Sequence, residues 1–374
     1  MSQHNERRVE RATRELKRVE QFWQTTLPTS FRELYTHYTC PFVAPCEFFT
    51  LRAIVQGTGR EFGMLPSFLP FGLDIDEGGI YGFYATDEPS DLWPVLYWEA
   101  DEMFLRPVSS DFDAFLRRCV LVGRYQTEMQ GPDDTADADA EQDRRELARI
   151  LDLPEDLITG PVPGNDTLLY ERLIASDPMD AVSLCHVGCA RLAWGRRERA
   201  LDYFHRACEA APYFGDALYL VAYVHLEQEN YARAVQGWWG VVQRLLLLCT
   251  RTYAWDLGAD HPEADIYEVA ADGLSQLTEH ATPDMLASPL WRVITQEEPY
   301  DPDVREQLGN TLLGLGDLAG AEREYLNALS LCAADASRQP DRLYDALIAL
   351  YERCARHRES ALAQFDRTLP RPAV

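Results

Sequence analysis

Apolar and small residues recur at a fixed interval along the C-terminal part of the chain. A first set comprises Leu184, Val187, Gly188, Ala200, Phe204 and Ala207. A shift of 34 residues gives a second set, Leu218, Val221, Ala222, Ala234, Trp238 and Val241. A third set comprises Leu308, Gly309, Leu312, Ala321, Tyr325 and Ala328. The spacing inside each set is typical of paired amphipathic helices, and the constant period indicates stacked helical repeats.

The repeated residues also indicate how such pairs would pack. Small residues such as Gly188 and Ala200 let two antiparallel helices approach closely, and a bulky Phe204 or Trp238 fills the space toward the next pair. One pair cannot bury its apolar face alone, so neighbours must stack. Residues 251–300 break the period and predict an irregular helical pair. A degenerate fourth copy is expected from Arg342, with Ile348, Ala349, Ala361 and Phe365 in register.

The N-terminal part follows another pattern. A charged helix is expected over residues 9–25, and a second helical start follows in LPTSFRELYTHY. Gly and Pro then separate four runs that are rich in β-forming and aromatic residues: EFFTL, GIYGFYAT, WPVLYWEA and FLRPVSS. The last stretch is SDFDAFLRRCVLV, in which Ser110 or Asp111 can cap a helix. Helix, strands and helix in this order predict a small α+β domain.

An acidic stretch separates the two patterns. Residues 127–144 read TEMQGPDDTADADAEQDR and contain no aromatic or β-branched core former apart from threonine. Such a segment cannot bury enough apolar surface to offset the entropy of ordering it. We therefore expect an α+β domain over residues 1–126, a flexible acidic linker over 127–144 and an all-α repeat domain over 145–374.

The charge balance narrows the class of partner. With 61 acidic and 35 basic residues among 374, the chain carries a formal charge of −26 at pH 7. Nucleic-acid binding needs clustered cations, so we expect no nucleic-acid partner. A basic protein partner fits this charge, which would accelerate their encounter, although an acidic surface that only keeps the protein soluble fits it too.

Further compositional features exclude other classes. Lys17 is the single lysine and has no glycine-rich loop near it, which argues against P-loop, Schiff-base and kinase-type chemistry. The longest apolar run, residues 245–249, is far shorter than the ~20 residues of a spanning helix. The polar N-terminus has no secretory pattern. We expect a cytoplasmic protein without a membrane partner, whose nine cysteines are mostly reduced and buried.

The stretch Asp74-Ile75-Asp76-Glu77-Gly78-Gly79 is the densest cluster of candidate site residues. A calcium loop would need a glutamate at its twelfth position, where Ala85 stands. Catalysis would need a carboxylate pair in a cleft. The composition favours a turn between two strands, with glycine supplying a positive φ. A second possibility is that Asp74, Asp76 and Glu77 add to a surface that faces a partner.

No motif in the sequence assembles a metal or catalytic centre. Cys185 and Cys189 lack a second ligand pair downstream, and their spacing fits the buried side of a repeat helix. Cys40 and Cys46 lie in a proline-containing loop sequence. We therefore predict no metal, no cofactor and no enzymatic activity, with an enzyme of unrecognised site as the alternative. Trp93 and Trp98 stand five positions apart, on opposite faces of a regular strand, so at most one is expected in the core and the other could anchor a partner.

These sequence patterns resemble two known families. The first domain resembles the SUKH superfamily through Leu27-Pro28, Phe31, Leu34, LPFG, Gly78-Gly79, Gly82, WPVLYW and VSSDFDAFL, which cover about residues 9–126. The family's Asn-Gly-Gly-like turn is replaced here by YTCPFVAPC. The repeats resemble tetratricopeptide repeats. That resemblance places Tyr219, Tyr223, Glu227, Glu306 and Asn310 on a peptide-binding groove.

The resemblances imply a function. Asn310 matches one position of the clamp by which some tetratricopeptide proteins hold acidic C-termini, but Glu306 replaces the lysine, which favours a basic or mixed peptide. Many bacterial SUKH proteins are immunity proteins that neutralise toxin domains, often nucleases. The expected function is therefore non-enzymatic binding and occlusion of a basic toxin domain or peptide. An adaptor that recruits partners through the repeat groove is the alternative.

Overall fold

The computed structural model of the chain describes residues 3–38, 42–43, 45–99, 101–130, 145, 154, 157, 159–255, 257, 264–334 and 340–369. The chain divides into two compact units. The first comprises Met1–Arg60, Ser67–Asp101 and Pro107–Leu184, and the second comprises Glu61–Pro66, Glu102–Arg106 and Cys185–Val374. The predicted fold class, an α+β part followed by an all-α part, is confirmed.

A sheet of six strands follows the N-terminal helices, and its strands are adjacent in chain order. They are β1 (Phe42–Val43), β2 (Cys46–Phe48), β3 (Phe68–Asp74), β4 (Ile80–Tyr84), β5 (Val95–Glu99) and β6 (Phe104–Ser109). Strands β1 to β5 pair antiparallel, with Phe48 opposite Gly72 and Gly82 opposite Leu96. These strands form an antiparallel meander: a short turn joins β3 to β4, whereas the longer connection from β2 to β3 contains a helix, Leu51–Val55.

The helices of this part are α1 (Gln3–Trp23), α2 (Thr29–His37), α3 (Leu51–Val55), α4 (Phe112–Gln130) and α5 (Asp166–Ser176). Asp111 caps α4, since its Oδ1 accepts a hydrogen bond from the Ala114 N–H at 2.7 Å. Of the two predicted caps, Asp111 is the one observed. Helix α4 includes residues 127–130, so these are helical and do not belong to a linker. Residues 131–144 lie outside the described residues, and the proposed domain boundaries stay a prediction.

Aromatic rings join α2 and α4 to the sheet. The ring of Phe31 on α2 lies 5.4 Å from Phe83 on β4 and 5.2 Å from Phe112 on α4. Phe71 on β3 lies 4.7 Å from Phe83. Tilted and edge-to-face pairs at these distances contribute beyond the area they bury. The core of the α+β part therefore lies between the sheet and these two helices.

The rest of the described chain is helical. Its helices are α6 (Ala181–Ala193), α7 (Arg197–Ala210), α8 (Gly215–Glu227), α9 (Tyr231–Val242), α10 (Ile266–Gln276), α11 (Pro283–Ala287), α12 (Pro289–Gln296), α13 (Pro302–Leu315), α14 (Leu318–Ala334), α15 (Asp341–Arg353) and α16 (His357–Asp366). Their order and short turns give the pairs α6–α7, α8–α9, α13–α14 and α15–α16. In the fourth pair the predicted register is wrong, because Ala349 is exposed and Ile348, Ala361 and Phe365 are only partly buried, whereas Leu347 and Leu350 are buried. No described helix is both long and apolar enough to cross a bilayer.

The small residues of the repeat pattern allow close helix contact. A Cβ atom added to Gly188 would lie 2.4 Å from the ring of Phe204, and one added to Gly309 would lie 2.7 Å from the ring of Tyr325. Distances this short exclude a side chain at either glycine unless its neighbour moves. The predicted close approach at Gly188 is observed, but the ring of Phe204 packs against Gly188 within its own pair, whereas it was expected to fill the space toward the next pair.

A buried polar network lies beside the irregular region. Arg305 on α13 and Glu324 on α14 are fully buried, and Arg305 Nη1 donates to Glu324 Oε2 at 2.8 Å. Arg305 Nη2 donates to the hydroxyl of Tyr267 at 2.7 Å. Asn327 accepts from the Leu246 N–H at 2.9 Å and donates to Glu324 at 3.5 Å. Buried charges are tolerated only when paired and hydrogen-bonded in this manner.

Candidate partner-binding site

A groove of about 750 Å³ is lined by residues of α13, α14 and α15. Helix α13 contributes Asp303, Glu306 and Asn310, and α15 contributes Asp341 and Asp345. These positions are three or four residues apart on each helix, so each set occupies one helix face. Four carboxylates thus line one concave surface.

Two arginines pair with these carboxylates. Arg342 pairs with Asp303 and with Glu306, whose Oε2 lies 2.8 Å from the Arg342 Nε. Arg367 lies 3.4 Å from Asp341 and 2.6 Å from Asp345. The side chains of Arg342 and Asp345 are 63% and 62% exposed. Exposed ion pairs contribute only about 0–1 kcal/mol each, so a cation from a ligand can compete with either arginine.

Asn310 lies on the wall of this groove and is exposed. Its Oδ1 accepts a hydrogen bond from the hydroxyl of Tyr325 at 2.9 Å. The hydroxyl comes from the second helix of the same pair, which orients the amide. The structure therefore places Asn310 with Glu306 in the groove, as the repeat phase predicts, and a role in partner binding stays a prediction.

Tyr219 and Tyr223 occupy a different environment. They lie on α8 with ring centroids 6.4 Å apart, and Tyr219 is 3% exposed. Tyr223 donates to the carbonyl of Leu257 at 3.4 Å, so this later segment lies against α8. The expectation of an open groove face was wrong for Tyr219, because the chain itself buries it.

Asp216 fixes this later segment to α8. Its Oδ1 accepts from the Thr250 N–H at 2.9 Å, and its Oδ2 accepts from the Trp255 Nε1–H at 2.8 Å and from the Thr250 hydroxyl. Burial raises the pKa of Asp216 to about 7, against the opposing effect of these hydrogen bonds. Burial likewise raises the pKa of Asp265, which caps α10, to about 6.

The acidic stretch after β3 forms the predicted turn. Strand β3 ends at Asp74, β4 begins at Ile80, and Gly78 adopts a φ of +78°. Asp74 is only 4% exposed, and it accepts hydrogen bonds from the Asp76 N–H at 2.9 Å and from the Tyr81 hydroxyl at 2.5 Å. Asp74 therefore organises the turn from inside and is not a surface acid, which corrects the expectation.

The other two acids of the turn, Asp76 and Glu77, are exposed. Partial burial raises the pKa of Asp76, and the neighbouring Asp74 and Glu77 raise it further. These two side chains remain candidates for a partner-facing surface.

Trp93 and Trp98 are both buried, at 2% and 1% exposure, so the expectation that at most one lies in the core was wrong. Trp93 precedes β5, which begins at Val95, and the alternation of strand faces does not extend to it. Its Nε1–H donates to the Glu88 carbonyl at 2.9 Å. Trp98 lies within β5, whose residues Val95–Trp98 are all buried on both faces. Neither tryptophan offers a surface anchor.

The burial of the cysteines agrees with the packing role expected for them. Cys46 and Cys185 are buried, Cys189 is partly buried, and all three are free thiols. Cys40 lies outside the described residues. In the described ranges, no group of three or more His, Cys, Asp or Glu side chains is arranged to hold a metal ion.

Sequence reasoning missed three carboxylates of the groove, Asp303, Asp341 and Asp345. A signal was present: Asp341 and Asp345 stand four positions apart at the start of the fourth repeat, where the first helix of a pair faces the groove. That copy is degenerate, and its acidic positions carry no apolar periodicity to mark them. The groove forms only where α13 and α15 lie beside each other, so the sequence pattern of one helix does not reveal it.

Comparison with protein families supports a SUKH domain in the N-terminal part. Residues 12–118 match the model of the SMI1/KNR4 family (SUKH-1). The matched range extends from α1 to the first half of α4 and includes the whole sheet. No curated protein matches the chain.

Proposed function

We propose that this chain is a non-enzymatic binding protein of the SUKH immunity type, which neutralises a basic toxin domain. The observation that carries the proposal is the acidic groove of α13 and α15, where Asp303, Glu306, Asp341 and Asp345 line one concave surface. A nuclease toxin needs basic surface to hold nucleic acid. A complementary acidic surface can cover that region and exclude the substrate.

Electrostatics supports this mechanism. The net charge of −26 attracts a basic partner at long range, and the groove supplies the local carboxylates. Lysine or arginine side chains of the partner would replace Arg342 and Arg367 as the cations paired with these carboxylates. Neutralisation would then be occlusion, which needs neither a cofactor nor a reacting group.

The N-terminal domain supports the same proposal. Its match to the SMI1/KNR4 family over residues 12–118 is consistent with an immunity-type role. The exposed acids Asp76 and Glu77 in its β3–β4 turn would supply a further contact of the same sign.

A second candidate is an adaptor that recruits a peptide through tetratricopeptide-like repeats. The contacts of Gly188 with Phe204 and of Gly309 with Tyr325 favour it, because they reproduce the small-to-large packing of such repeats. Repeat surfaces of this kind commonly hold extended peptides. The two candidates differ in what the groove binds and in whether binding stops a toxic activity.

The experiment compares the full chain with a charge-reversed groove variant, Asp341→Lys/Asp345→Lys. Each is immobilised, native lysate is applied at about 0.1 M and about 1 M ionic strength, and bound proteins are identified by mass spectrometry. A purified captured protein is then assayed for toxic or nuclease activity with and without equimolar full chain. The matched control is Asp272→Lys/Glu279→Lys, which makes the same charge change at exposed positions away from the groove.

Immunity predicts a basic partner that high salt releases, that the groove variant fails to hold and that loses its activity when the full chain is added. The control should bind as the wild type does. Partners that resist salt and show no toxic activity would overturn the immunity proposal and favour the adaptor.

A further inference from the structure

The turn between α6 and α7 differs in charge from the rest of the molecule. Residues 191–199 read RLAWGRRER, with four arginines and one glutamate, in a chain of net charge −26. The corresponding turn of the next pair, residues 225–233, reads HLEQENYAR and has more acids than arginines. The net charge of this turn is thus positive in a chain that is negative overall, and the repeat architecture does not require positive charge there.

A tryptophan lies at the centre of this turn. Trp194 is 57% exposed. The guanidinium of Arg191 lies 4.9 Å from the centroid of its ring, and that of Arg196 lies 5.6 Å from it. Cation–π contacts at these distances hold a ring in place. Both cations therefore contact the exposed indole and restrict its orientation.

The geometry of the turn, rather than the apolar repeat, identifies the equivalent positions. Each turn has one residue with positive φ, namely Gly195, Glu229, Gly316 or Ala355. The residues before them are Trp194, Gln228, Leu315 and Cys354, which are all exposed. A large aromatic side chain is not needed there for folding, because glutamine and cysteine serve in the other turns. Exposed tryptophan combined with arginine is the composition that dominates binding energy at protein interfaces.

We propose that Trp194 with Arg191, Arg196 and Arg199 forms a docking surface for an acidic protein segment that carries an aromatic side chain. The planar guanidinium groups match carboxylates in bidentate geometry. The indole offers an aromatic residue of the same segment a stacking partner. This basic surface is separate from the acidic groove. It would bind an acidic partner, whereas the groove would bind a basic one.

The small size of this docking surface favours one class of anionic partner over the others. The four arginines of the turn lie within residues 191–199, whereas the chain as a whole carries a net charge of −26. Duplex nucleic acid carries a charge every ~1.7 Å along its axis, so a chain of this net charge repels it over most of its length. An anionic bilayer would be repelled in the same way. A short acidic segment meets only the turn, since charges more than about 8–10 Å away are screened.

The test uses fluorescence anisotropy with a labelled copolymer of glutamate and tyrosine as the probe and the full chain as the binding protein. The variants are Trp194→Ala and Arg196→Glu. Leu315→Ala is the matched control for the loss of an exposed apolar side chain at the same turn position. Arg292→Glu is the control for charge, because it reverses an exposed arginine on α12. Polyglutamate, single-stranded polyuridylate and phosphatidylserine vesicles are the comparison probes.

The wild type should bind the copolymer more tightly than polyglutamate. Trp194→Ala and Arg196→Glu should weaken that binding about tenfold or more, and the two controls should change it less than about twofold. Circular dichroism should show the same melting temperature for Trp194→Ala and the wild type. The proposal fails if the variants bind as the controls do or if the wild type does not bind the copolymer. It also fails if Trp194→Ala chiefly removes binding to polyuridylate or vesicles, or removes self-association.

Discussion

Arg305 donates to Glu324 at 2.8 Å, and neither side chain has any exposed surface. An ion pair without water contact depends on each partner, since the loss of either one leaves an uncompensated charge in the interior. Arg323 donates to the second oxygen of Glu324 at 2.7 Å, so Glu324 is the shared acceptor. Glu324 also accepts from Asn327, so its loss disturbs three donors at once.

We predict that Glu324→Ala lowers the free energy of unfolding by about 3–5 kcal/mol, because it leaves Arg305 buried without its counter-charge. Urea unfolding measures the change. Glu297→Ala is the control: its partner Arg292 lies at 2.9 Å but is 66% exposed, and the expected loss is below about 1 kcal/mol. Equal effects of the two substitutions would contradict the buried pairing.

The raised pKa of Asp216 predicts that the stability of the protein depends on pH. Its pKa of about 7 in the folded protein exceeds the value near 4 of an unfolded aspartate, so the folded state binds more protons between these pH values. The stabilisation by the proton is complete below about pH 4 and is lost as the pH rises through about 7. The free energy of unfolding of the wild type should therefore fall by up to about 1.4 kcal/mol per pH unit in this range, and Asp216→Asn should remove that decline.

The measurement for Asp216 is the free energy of unfolding of the wild type and of Asp216→Asn between about pH 6 and about pH 7.5, a range chosen from the two pKa values. Asp265, with a pKa of about 6, affects the slope mainly at lower pH, so Asp265→Asn is the control. If wild type and Asp216→Asn show the same slope, Asp216 does not hold a proton at neutral pH.

Gly309 and Gly314 on α13 provide a matched pair of substitutions. A Cβ on Gly309 would meet the ring of Tyr325 at 2.7 Å, whereas a Cβ on Gly314 would have no neighbour within 4 Å. Gly309→Ala should destabilise by about 1–3 kcal/mol through overpacking. Gly314→Ala should stabilise by up to about 1 kcal/mol through helix propensity. Thermal unfolding followed by circular dichroism compares them, and shifts of the same sign would refute the close contact.

Trp93 and Trp98 should behave alike. Because both are buried, Trp93→Ala and Trp98→Ala should each cost about 3–5 kcal/mol in unfolding free energy. Trp194→Ala should change it by less than about 0.5 kcal/mol, since its ring is exposed. Chemical denaturation of the three variants tests this, and a near-neutral Trp93→Ala would restore the expectation of one exposed tryptophan.

Local patterns determined which elements were predictable. The cap at Asp111, the turn after Asp74 and the contact of Gly188 with Phe204 each depend on residues close in sequence or on the repeat period. Such relationships are encoded in spacing, because a helix or strand fixes which neighbours share a face.

Contacts between distant segments were not predictable in this way. The burial of Tyr219 was not foreseen, because Thr250 and Leu257 hydrogen-bond to its neighbours Asp216 and Tyr223 on α8 from a segment where the apolar repeat is interrupted. Trp93 was misjudged because the start of β5 lies two residues beyond it, and strand boundaries decide the alternation. The carboxylates of the groove converge only after α13 and α15 pack side by side.

The polar network around Glu324 has a consequence for how the helical part unfolds. In a regular solenoid each repeat contacts only its neighbours, so terminal pairs can fray separately. Here Asn327 receives the Leu246 N–H from 81 positions away, and Arg305 reaches Tyr267 across 38. These long-range bonds bind the irregular segment to α13 and α14, so amide hydrogens from α10 through α14 should exchange in one cooperative opening.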